Sequence, residues 1–331
     1  MICPFCMNVH DPTVRECPEK QLRIPVTYLE AGSEKIPVLF IMTIGYTEHG
    51  KTCFLSSLLH SLHEGSFAKS WPRFSFLGLT QETLKSISQS YITPLHQGIL
   101  PASTQVFFPA PLILEFQYIP LRIGVFKRVL SAVSSNGGQV DPSDVIVVFY
   151  DIGGEIFDVK NQIDTCLPIL QKINPLIFLM DLPGMLEKAQ EGELDVRERM
   201  HALINNIHLA LTEGAKRKKR DIVVCFTKAD KMWGKPEMYG PLSERLDNSI
   251  PTAEEIAGYM ANLESFSKNV GDYIASEYSA FYNTTVNNFG NLRFAAVSAL
   301  GSSPENNKIR VLEPNRVFDP LFWSFRLNKL L

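Results

Sequence analysis

The strongest constraint on the fold is an apolar run that ends in a glycine-bounded loop and continues into a helical pattern. Val38–Ile44 is almost continuously apolar, which is typical of a strand buried on both faces of a parallel sheet. Lys51–His63, which follows the loop, carries apolar residues at helical spacing. A buried strand that leads through a short loop into an amphipathic helix is the basic unit of α/β folds. The sequence therefore predicts a mostly parallel sheet.

The loop itself, Gly45-Tyr-Thr-Glu-His-Gly-Lys-Thr52, fits the pattern G-x-x-x-x-G-K-[ST] in full. Its glycines allow successive backbone N–H groups to point at phosphate oxygens, while Lys51 neutralises phosphate charge and the Thr52 hydroxyl ligates Mg²⁺. Glu48 and His49 are unusual in such a loop, and we expect the His49 imidazole to point away from a nucleotide. The predicted phosphate-binding residues are Gly45, Tyr46, Thr47, Glu48, His49, Gly50, Lys51, Thr52 and Cys53.

Strand and helix patterns alternate along most of the chain. This alternation predicts helices on both faces of the sheet, with ligands bound at the carboxyl ends of the strands. Gln21–Leu29 alternates loosely and is predicted to be an edge strand. The other predicted strands are Leu112–Ile119, Val145–Tyr150, Leu176–Met180, Ile222–Phe226 and Leu292–Val297. The other predicted helices are Gln81–Gln97, Phe157–Gln171, Asp195–Thr212, Thr252–Tyr278 and Phe318–Leu330, the last either packed in the core or facing a partner.

An acidic motif follows the strand Val145–Tyr150, in the order Asp151-Ile-Gly-Gly-Glu155. An aspartate at a strand end beside a phosphate loop can hold Mg²⁺, usually through water. Gly154 ends a D-x-x-G pattern, so its N–H can reach a γ-phosphate and its backbone can act as a hinge. These residues predict a second contact with the phosphates.

Two later strands end in residues suited to a guanine base. Ile222–Phe226 runs into Thr227-Lys-Ala-Asp230, where the Asp230 carboxylate can accept both N1–H and N2–H of guanine and the Lys228 stem can lie over the ring. Leu292–Val297 runs into Ser298-Ala-Leu300, where a backbone N–H can reach the guanine O6. The predicted base-reading residues are Thr227, Lys228, Asp230, Ser298, Ala299 and Leu300.

The ordered set GYTEHGKT, DIGGE, TKAD and SAL resembles P-loop GTPases of the translation-factor and Ras-like (TRAFAC) class over about residues 36–300. The resemblance implies a three-layer α/β G domain that binds GTP and GDP with Mg²⁺ and hydrolyses GTP. In this class a threonine in a mobile loop completes the Mg²⁺ shell. Thr104, shortly before the strand at Leu112, is the preferred candidate over Thr93 and Ser103.

The resemblance also implies roles for single residues. Thr52, Thr104 and Asp151 would hold Mg²⁺, and Lys51, Thr104, Gly154 and Glu155 would act on the γ-phosphate or the attacking water. Two positions depart from the class: Thr227 replaces the usual asparagine, and Glu155 stands where Ras-like enzymes place a glutamine that orients water. A carboxylate there is repelled by the γ-phosphate unless it is protonated or bridged by a cation, although it can also polarise the attacking water. We therefore expect GTP hydrolysis to be slow. We also expect a protein partner that either activates hydrolysis or binds as an effector.

The N-terminal segment carries a separate motif. Cys3-Pro-Phe-Cys6 supplies two thiolates from one turn, and His10 and Cys17 can complete a tetrahedral zinc site. A redox C-x-x-C and incidental thiols are the alternatives. The predicted domains are a zinc knuckle at 1–20 and a G domain at 21–331, with insertions around 65–110, 120–143 and 232–290 and a closing C-terminal helix. The knuckle, the insertion before Asp151 and the closing helix also resemble bacterial double-GTPase-type proteins of regulatory or conflict systems.

Charge and hydropathy limit the partners. With 32 Lys and Arg against 35 Asp and Glu, the net charge is 32 − 35 = −3, which argues against binding nucleic acid or anionic lipid by bulk charge. The one basic cluster, Lys216–Arg220, is interpreted as a solvated loop. No secretory signal and no membrane-spanning apolar run is visible, so a reducing cytoplasm is expected.

Two other function classes stay open. Asp181-Leu-Pro-Gly184 also ends an apolar strand, so the chain can be read as an ATPase that uses Asp181 as its Mg²⁺ acid. Alternatively, it can be a scaffold that binds nucleotide without hydrolysing it.

Overall fold

The computed structural model describes residues 1–34, 36–102, 110–119, 143–158, 160–187, 196–212 and 219–331. Within these ranges seven strands form one sheet in the order β2-β3-β4-β1-β5-β6-β7. β4, β1, β5, β6 and β7 are parallel, whereas β3 runs antiparallel to both β2 and β4. The strands are β1 Val38–Gly45, β2 Ser75–Gly78, β3 Leu112–Ile119, β4 Ser143–Gly153, β5 Leu176–Met180, β6 Ile222–Phe226 and β7 Leu292–Ala296.

The helices cover the sheet. Every residue of β5 and β6 is buried, and because successive side chains of a strand point to opposite faces, both faces must be covered there. The helices are α1 Val26–Glu34, α2 Lys51–His63, α3 Gln81–Ser86, α4 Thr93–His96, α5 Lys160–Leu170, α6 Leu182–Glu187, α7 Val196–Thr212, α8 Pro236–Tyr239, α9 Ile256–Glu277, α10 Ser279–Asn288 and α11 Asp319–Leu327, and a π-helical segment at Ile87–Ile92 joins α3 to α4.

The register of the central strands determines which loops meet. β1 pairs with β4 so that Gly45 lies opposite Gly153 and Thr43 lies opposite Asp151. The loop after β1 and the acidic motif, which begins within β4 at Asp151 and continues beyond its end at Gly153, therefore leave the sheet side by side. β6 and β7 end at the same edge, beyond β5, so the four sequence motifs are all brought to one side of the sheet.

One predicted element is wrong. The segment assigned to an edge strand, Gln21–Leu29, instead enters helix α1. Ile24, Tyr28 and Ala31 are buried at helical spacing. The N–H of Leu29 donates to the Pro25 carbonyl in the first i to i−4 hydrogen bond of the helix. The loose alternation that suggested a strand was too short to distinguish the two periods. The sequence patterns also missed β2, a four-residue strand with no fully buried position.

The closing helix α11 belongs to the core. Trp323 is fully buried, and its indole Nε1–H donates to the carbonyl of Phe294 on β7 at 3.1 Å. Ahead of the helix, the Arg316 guanidinium pairs with the buried Asp319 carboxylate at 2.7 Å, and the Tyr259 hydroxyl donates to the same carboxylate at 2.5 Å. Of the two uses predicted for this helix, the structure therefore favours core packing. Among the described residues, every helix is too short or too polar to span a bilayer.

Candidate nucleotide-binding site

The phosphate loop occupies residues 45–52 between β1 and α2. Gly50 caps α2 with φ 75° and ψ 15°, a left-handed conformation that glycine adopts without steric cost. Glu48 shares the left-handed region with φ 70°. Because α2 starts at Lys51, the N–H groups of its first turn point toward the loop. The loop and the helix end together form an anion-binding concavity.

The sequence-predicted acid and cation of the phosphate region meet directly. The Lys51 ammonium lies 3.2 Å from Asp151 Oδ1, and the two side chains are only 9% and 5% exposed. The Thr43 hydroxyl donates to the same carboxylate oxygen at 3.1 Å, as the pairing of β1 with β4 requires. The charges of Lys51 and Asp151 thus balance each other in the structure.

The Glu155 carboxylate also reaches the phosphate loop. Its Oε1 accepts the backbone N–H of Thr47 at 2.5 Å. Burial raises the pKa of Glu155, but hydrogen bonds from Thr47 and the nearby Lys51 charge outweigh burial and leave its pKa below the ordinary value. Gly154 lies so close to the loop that a Cβ would stand 3.1 Å from the Tyr46 nitrogen. The acidic motif therefore packs directly on the phosphate loop and occupies one of its N–H donors.

The residues predicted to read the base are fixed by the scaffold. The Thr227 hydroxyl donates to the carbonyl of His49 at 2.7 Å, which ties the base-reading segment to the phosphate loop. The Ser298 hydroxyl donates to Asp230 Oδ1 at 2.5 Å and accepts the N–H of Gly301 at 3.0 Å. Asp230 is thus held in one orientation by the segment that follows β7.

Lys228 lines the cavity with its stem, and its ammonium has a partner that the sequence did not predict. Its ammonium forms an ion pair with Asp181, and Asp181 also accepts the N–H of Gly184 at 2.9 Å at the start of α6. No sequence pattern indicates this pair, because it joins the ends of two different strands. The Asp181 carboxylate thus links the end of β5 to the segment after β6.

These segments enclose a cavity of about 440 Å³, a size typical of small-molecule sites. Its walls include most of the predicted residues: Gly45, Tyr46, Thr47, Glu48, Gly50, Lys51, Thr52, Cys53, Glu155, Thr227, Lys228, Asp230, Ala299 and Leu300. Asp151, Gly154 and Ser298 are not part of this wall, but each contacts a residue that is. Asp181 borders an adjoining cavity of about 250 Å³, whose walls share Tyr46, Thr47, Glu48 and Glu155 with the first.

His49 is not part of the cavity wall, and some lining residues were missed. The His49 imidazole is buried, and its Nδ1 lies 3.1 Å from the Leu179 carbonyl; burial lowers its pKa, which favours the neutral ring. Thr104 falls outside the described residues. Leu100 and Pro101 from the preceding segment line the cavity, as do residues 302–304, which the sequence reading missed although they follow Ser298-Ala-Leu300 closely.

The four N-terminal candidates for zinc lie together. The ligand atoms of Cys3, Cys6, His10 and Cys17 all fall within 4.8 Å of one another, and Cys6 Sγ is 3.1 Å from His10 Nε2. Burial raises the pKa of the Cys3 thiol and raises that of Cys6 to about 12, so both are neutral without a cation. Three sulfurs and one imidazole nitrogen in this cluster fit a tetrahedral Zn²⁺ ion.

The knuckle is docked on the strand that carries Asp151. The hydroxyl of Tyr150 on β4 donates to the carbonyl of Pro4 at 2.5 Å. On the other side, the Tyr28 hydroxyl donates to the carbonyl of Ile2 at 2.6 Å. The N-terminal segment therefore packs as one body with the sheet rather than as a detached module.

No protein-family model and no curated protein matches the sequence. Solved structures similar to the chain include the SRb–GTP/SRX complex of the signal recognition particle receptor from Chaetomium thermophilum, with 14% identity, a TM-score of 0.36, and coverage of 88% of this chain and 98% of that one. The GDP- and phosphate-bound Ski7 GTPase-like domain of S. cerevisiae matches at 15% identity and a TM-score of 0.39, covering 91% of this chain and 52% of that one. The GTP-bound form of Ski7 matches at 14% identity and a TM-score of 0.37, covering 93% and 53%. Since these likenesses are remote, the assignment of function depends on the residues of the cavity.

Proposed function

We propose that this chain is a GTP-binding protein that hydrolyses GTP slowly to GDP and phosphate and uses the nucleotide as a conformational switch. The observation that carries the proposal is the cavity itself. One cavity of nucleotide size is lined by four segments. They are the phosphate loop, the acidic motif at the end of β4, the segment after β6 and the segment after β7. These segments supply a cation, backbone donors and a base-reading carboxylate in the order that a nucleotide presents its phosphates and base.

The phosphate end would hold the triphosphate through the loop N–H groups and Lys51. Thr52 and Asp151 are the residues that would hold Mg²⁺, which neutralises phosphate charge when it is bound. In the structure Lys51 is paired with Asp151. Binding of a nucleotide therefore exchanges one ion pair for contacts of Lys51 with phosphate and of Asp151 with the metal. This exchange links β4, and the acidic motif that follows it, to the state of the nucleotide.

The base end supports guanine over adenine. The Asp230 carboxylate lines the cavity and is oriented by Ser298. A carboxylate accepts hydrogen bonds only, so it pairs with the N1–H and N2–H donors of guanine, which adenine lacks. Asp181, the acid on which the ATPase alternative depends, is already engaged in an ion pair with Lys228. Both observations favour binding of a guanine nucleotide over an adenine nucleotide.

Glu155 supports slow rather than fast hydrolysis. Its depressed pKa keeps it ionised at neutral pH, and an anion there repels the γ-phosphate. It also occupies the Thr47 N–H. Attack of water on the γ-phosphate requires that this carboxylate move or that a protein partner supply the residue that positions the water. Thr104 as the switch residue, the protein effector, and the resemblance to bacterial double-GTPase-type proteins stay predictions.

A non-hydrolysing scaffold is the second candidate, because the same contact between Glu155 and Thr47 can hold the loop closed to a γ-phosphate. Multiple-turnover release of phosphate from GTP separates the two. A GTPase releases more than one phosphate per protein molecule, and Lys51→Ala abolishes that release. A scaffold releases no phosphate above the Lys51→Ala background.

The second part of the proposal is a structural Zn²⁺ ion held by Cys3, Cys6, His10 and Cys17. Its support is the compactness of the four donors and their docking on Tyr150. Elemental analysis should give one zinc bound in the knuckle, lost in Cys17→Ser, with a lowered melting temperature. The buried Cys166→Ser is the matched control and should keep the zinc. Equal zinc content in the two variants would contradict the assignment.

A further inference from the structure

A second group of metal-ligating side chains lies away from both the cavity and the knuckle. It consists of His60, Glu64 and His96, called here the histidine–glutamate cluster. We propose that this cluster is a binding site for one divalent transition-metal ion of the zinc and cobalt type, held by two imidazole nitrogens and one carboxylate oxygen. Metal binding there is independent of the proposed nucleotide function, since the cavity walls include none of the three residues.

The fold brings the three residues together from two helices. His60 lies on the last turn of α2 and Glu64 is the residue that caps it, bonded through its N–H to the His60 carbonyl at 2.9 Å. Side chains four residues apart on a helix share one face. His96 is the last residue of α4, and its ring meets that of His60 edge to face, with centroids 5.0 Å apart.

The distances suit a tetrahedral ion. His96 Nε2 lies 3.4 Å from Glu64 Oε1. Two ligand atoms at bond lengths of about 2.1 Å from a tetrahedral centre are about 3.4 Å apart. The donor atoms of all three residues lie within 4.8 Å of one another. Because the side chains of Glu64 and His96 are 53% and 49% exposed, small rotations can complete the geometry against little packing.

The donor chemistry selects the kind of metal. Two imidazoles and a carboxylate favour zinc and its neighbours in the first transition series, whereas Mg²⁺ and Ca²⁺ require oxygen ligands. Three protein ligands leave the fourth tetrahedral position to water. The site would therefore exchange its ion more readily than the buried knuckle, which offers four ligands.

The position of the cluster gives the ion a structural consequence. α2 begins at Lys51, and α4 leads to Leu100 and Pro101, which line the nucleotide cavity. Leu95, next to His96, packs against Ala299 and Leu300. An ion held by His60, Glu64 and His96 would cross-link the end of α2 to the segment that carries this wall of the cavity.

Titration of the full-length protein with Co²⁺ tests the proposal, after elemental analysis has shown zinc in the knuckle. Cobalt bound by nitrogen and oxygen gives weak visible d–d bands, whereas cobalt bound by thiolate adds an intense near-ultraviolet charge-transfer band. The wild type should bind one equivalent with saturable d–d bands and no thiolate band. His96→Gln and Glu64→Gln should each weaken binding at least about tenfold, since changes of outer-sphere partners alone cost that much.

His63→Gln is the matched control. It is an exposed histidine on the same turn of α2 and lies outside the cluster, so its Co²⁺ affinity should equal that of the wild type. Circular dichroism establishes that each variant is folded before titration. The proposal is overturned if the wild type shows no saturable bands, if His96→Gln binds Co²⁺ as well as the wild type does, or if His63→Gln loses as much affinity as His96→Gln.

Discussion

The two ends of the cavity are built in opposite ways. At the phosphate end the functional groups are paired with each other: Lys51 with Asp151, and Glu155 with the N–H of Thr47. At the base end the Asp230 carboxylate is instead oriented by a neutral donor, the Ser298 hydroxyl. A carboxylate has about four acceptor positions, so one bond from Ser298 leaves capacity for a base.

This difference assigns selection of the base to one end of the cavity and the conformational response to phosphate to the other. A base can dock at Asp230 without breaking its support, so the base end can discriminate at low cost of rearrangement. On the proposed function, a triphosphate displaces the two internal pairs at the phosphate end. Because both pairs involve the acidic motif, their loss would allow that motif to move. We therefore expect changes at the base end to alter which nucleotide binds, and changes at the phosphate end to alter how tightly and in which state.

Lys51→Ala should have the largest effect. It removes the cation that is proposed to bind phosphate and that lies beside the nearly buried Asp151, so nucleotide affinity should fall by at least about 100-fold, or about 3 kcal/mol. Equilibrium titration with a fluorescent guanine nucleotide measures it. Lys69→Ala, which removes an exposed lysine outside the cavity, is the control. Similar nucleotide affinities of the two variants would contradict the proposal that Lys51 binds phosphate.

Asp230→Asn should change the nature of the bound base. The amide can donate where the carboxylate only accepts, so GDP should lose about 100-fold in affinity while XDP, whose base presents an oxygen at position 2, gains. Competition titrations of the variant measure both changes. A uniform loss for GDP, ADP and XDP would mean that Asp230 supports the fold instead of reading the base.

Ser298→Ala should have a smaller effect of the same kind. It removes the hydrogen bond that orients Asp230, which is worth about 1 kcal/mol, so GDP affinity should fall about fivefold and the preference for GDP over ADP should narrow. Calorimetric titration gives both affinities. Ser302→Ala changes a serine of the cavity wall that Asp230 does not contact, and it should leave the preference intact. An unchanged preference in Ser298→Ala would break the contrast between the two ends.

Glu155→Gln should have the smallest effect and act only at the phosphate end. Loss of the negative charge weakens the bond to the Thr47 N–H and the repulsion of a γ-phosphate, so affinity for GTP relative to GDP should rise about twofold, by about 0.5 kcal/mol. Asp158→Asn is the control, because that carboxylate accepts from the Tyr46 hydroxyl and not from the loop backbone. A rise in both variants would point to general charge rather than to this contact.

The sequence predicted the elements that local pattern specifies. β3, β5, β6 and α2 have the predicted bounds, because long apolar runs and helical spacing between turn residues leave little choice of register. It failed where the decision was tertiary. α1 was misassigned on a short ambiguous pattern, and β2 owes its existence to pairing with β3.

The site divides in the same way. The phosphate loop and the segments around Asp230 and Ser298 could be found from order and spacing, because each follows a strand. Contacts between distant segments carried no such signal. The ion pair of Lys228 with Asp181, the bond from Thr47 to Glu155 and the meeting of His96 with α2 depend on which side chains the fold makes neighbours.

The most direct test of the guanine reading is competition of GDP, ADP and XDP against a fluorescent guanine nucleotide on the wild-type chain, with and without Mg²⁺. A bidentate contact from a carboxylate to guanine is worth about 3 kcal/mol, so GDP should displace the probe about 100-fold more effectively than ADP does, in either condition. Equal displacement by ADP would contradict the role of Asp230, and with it the proposal that this cavity selects guanine.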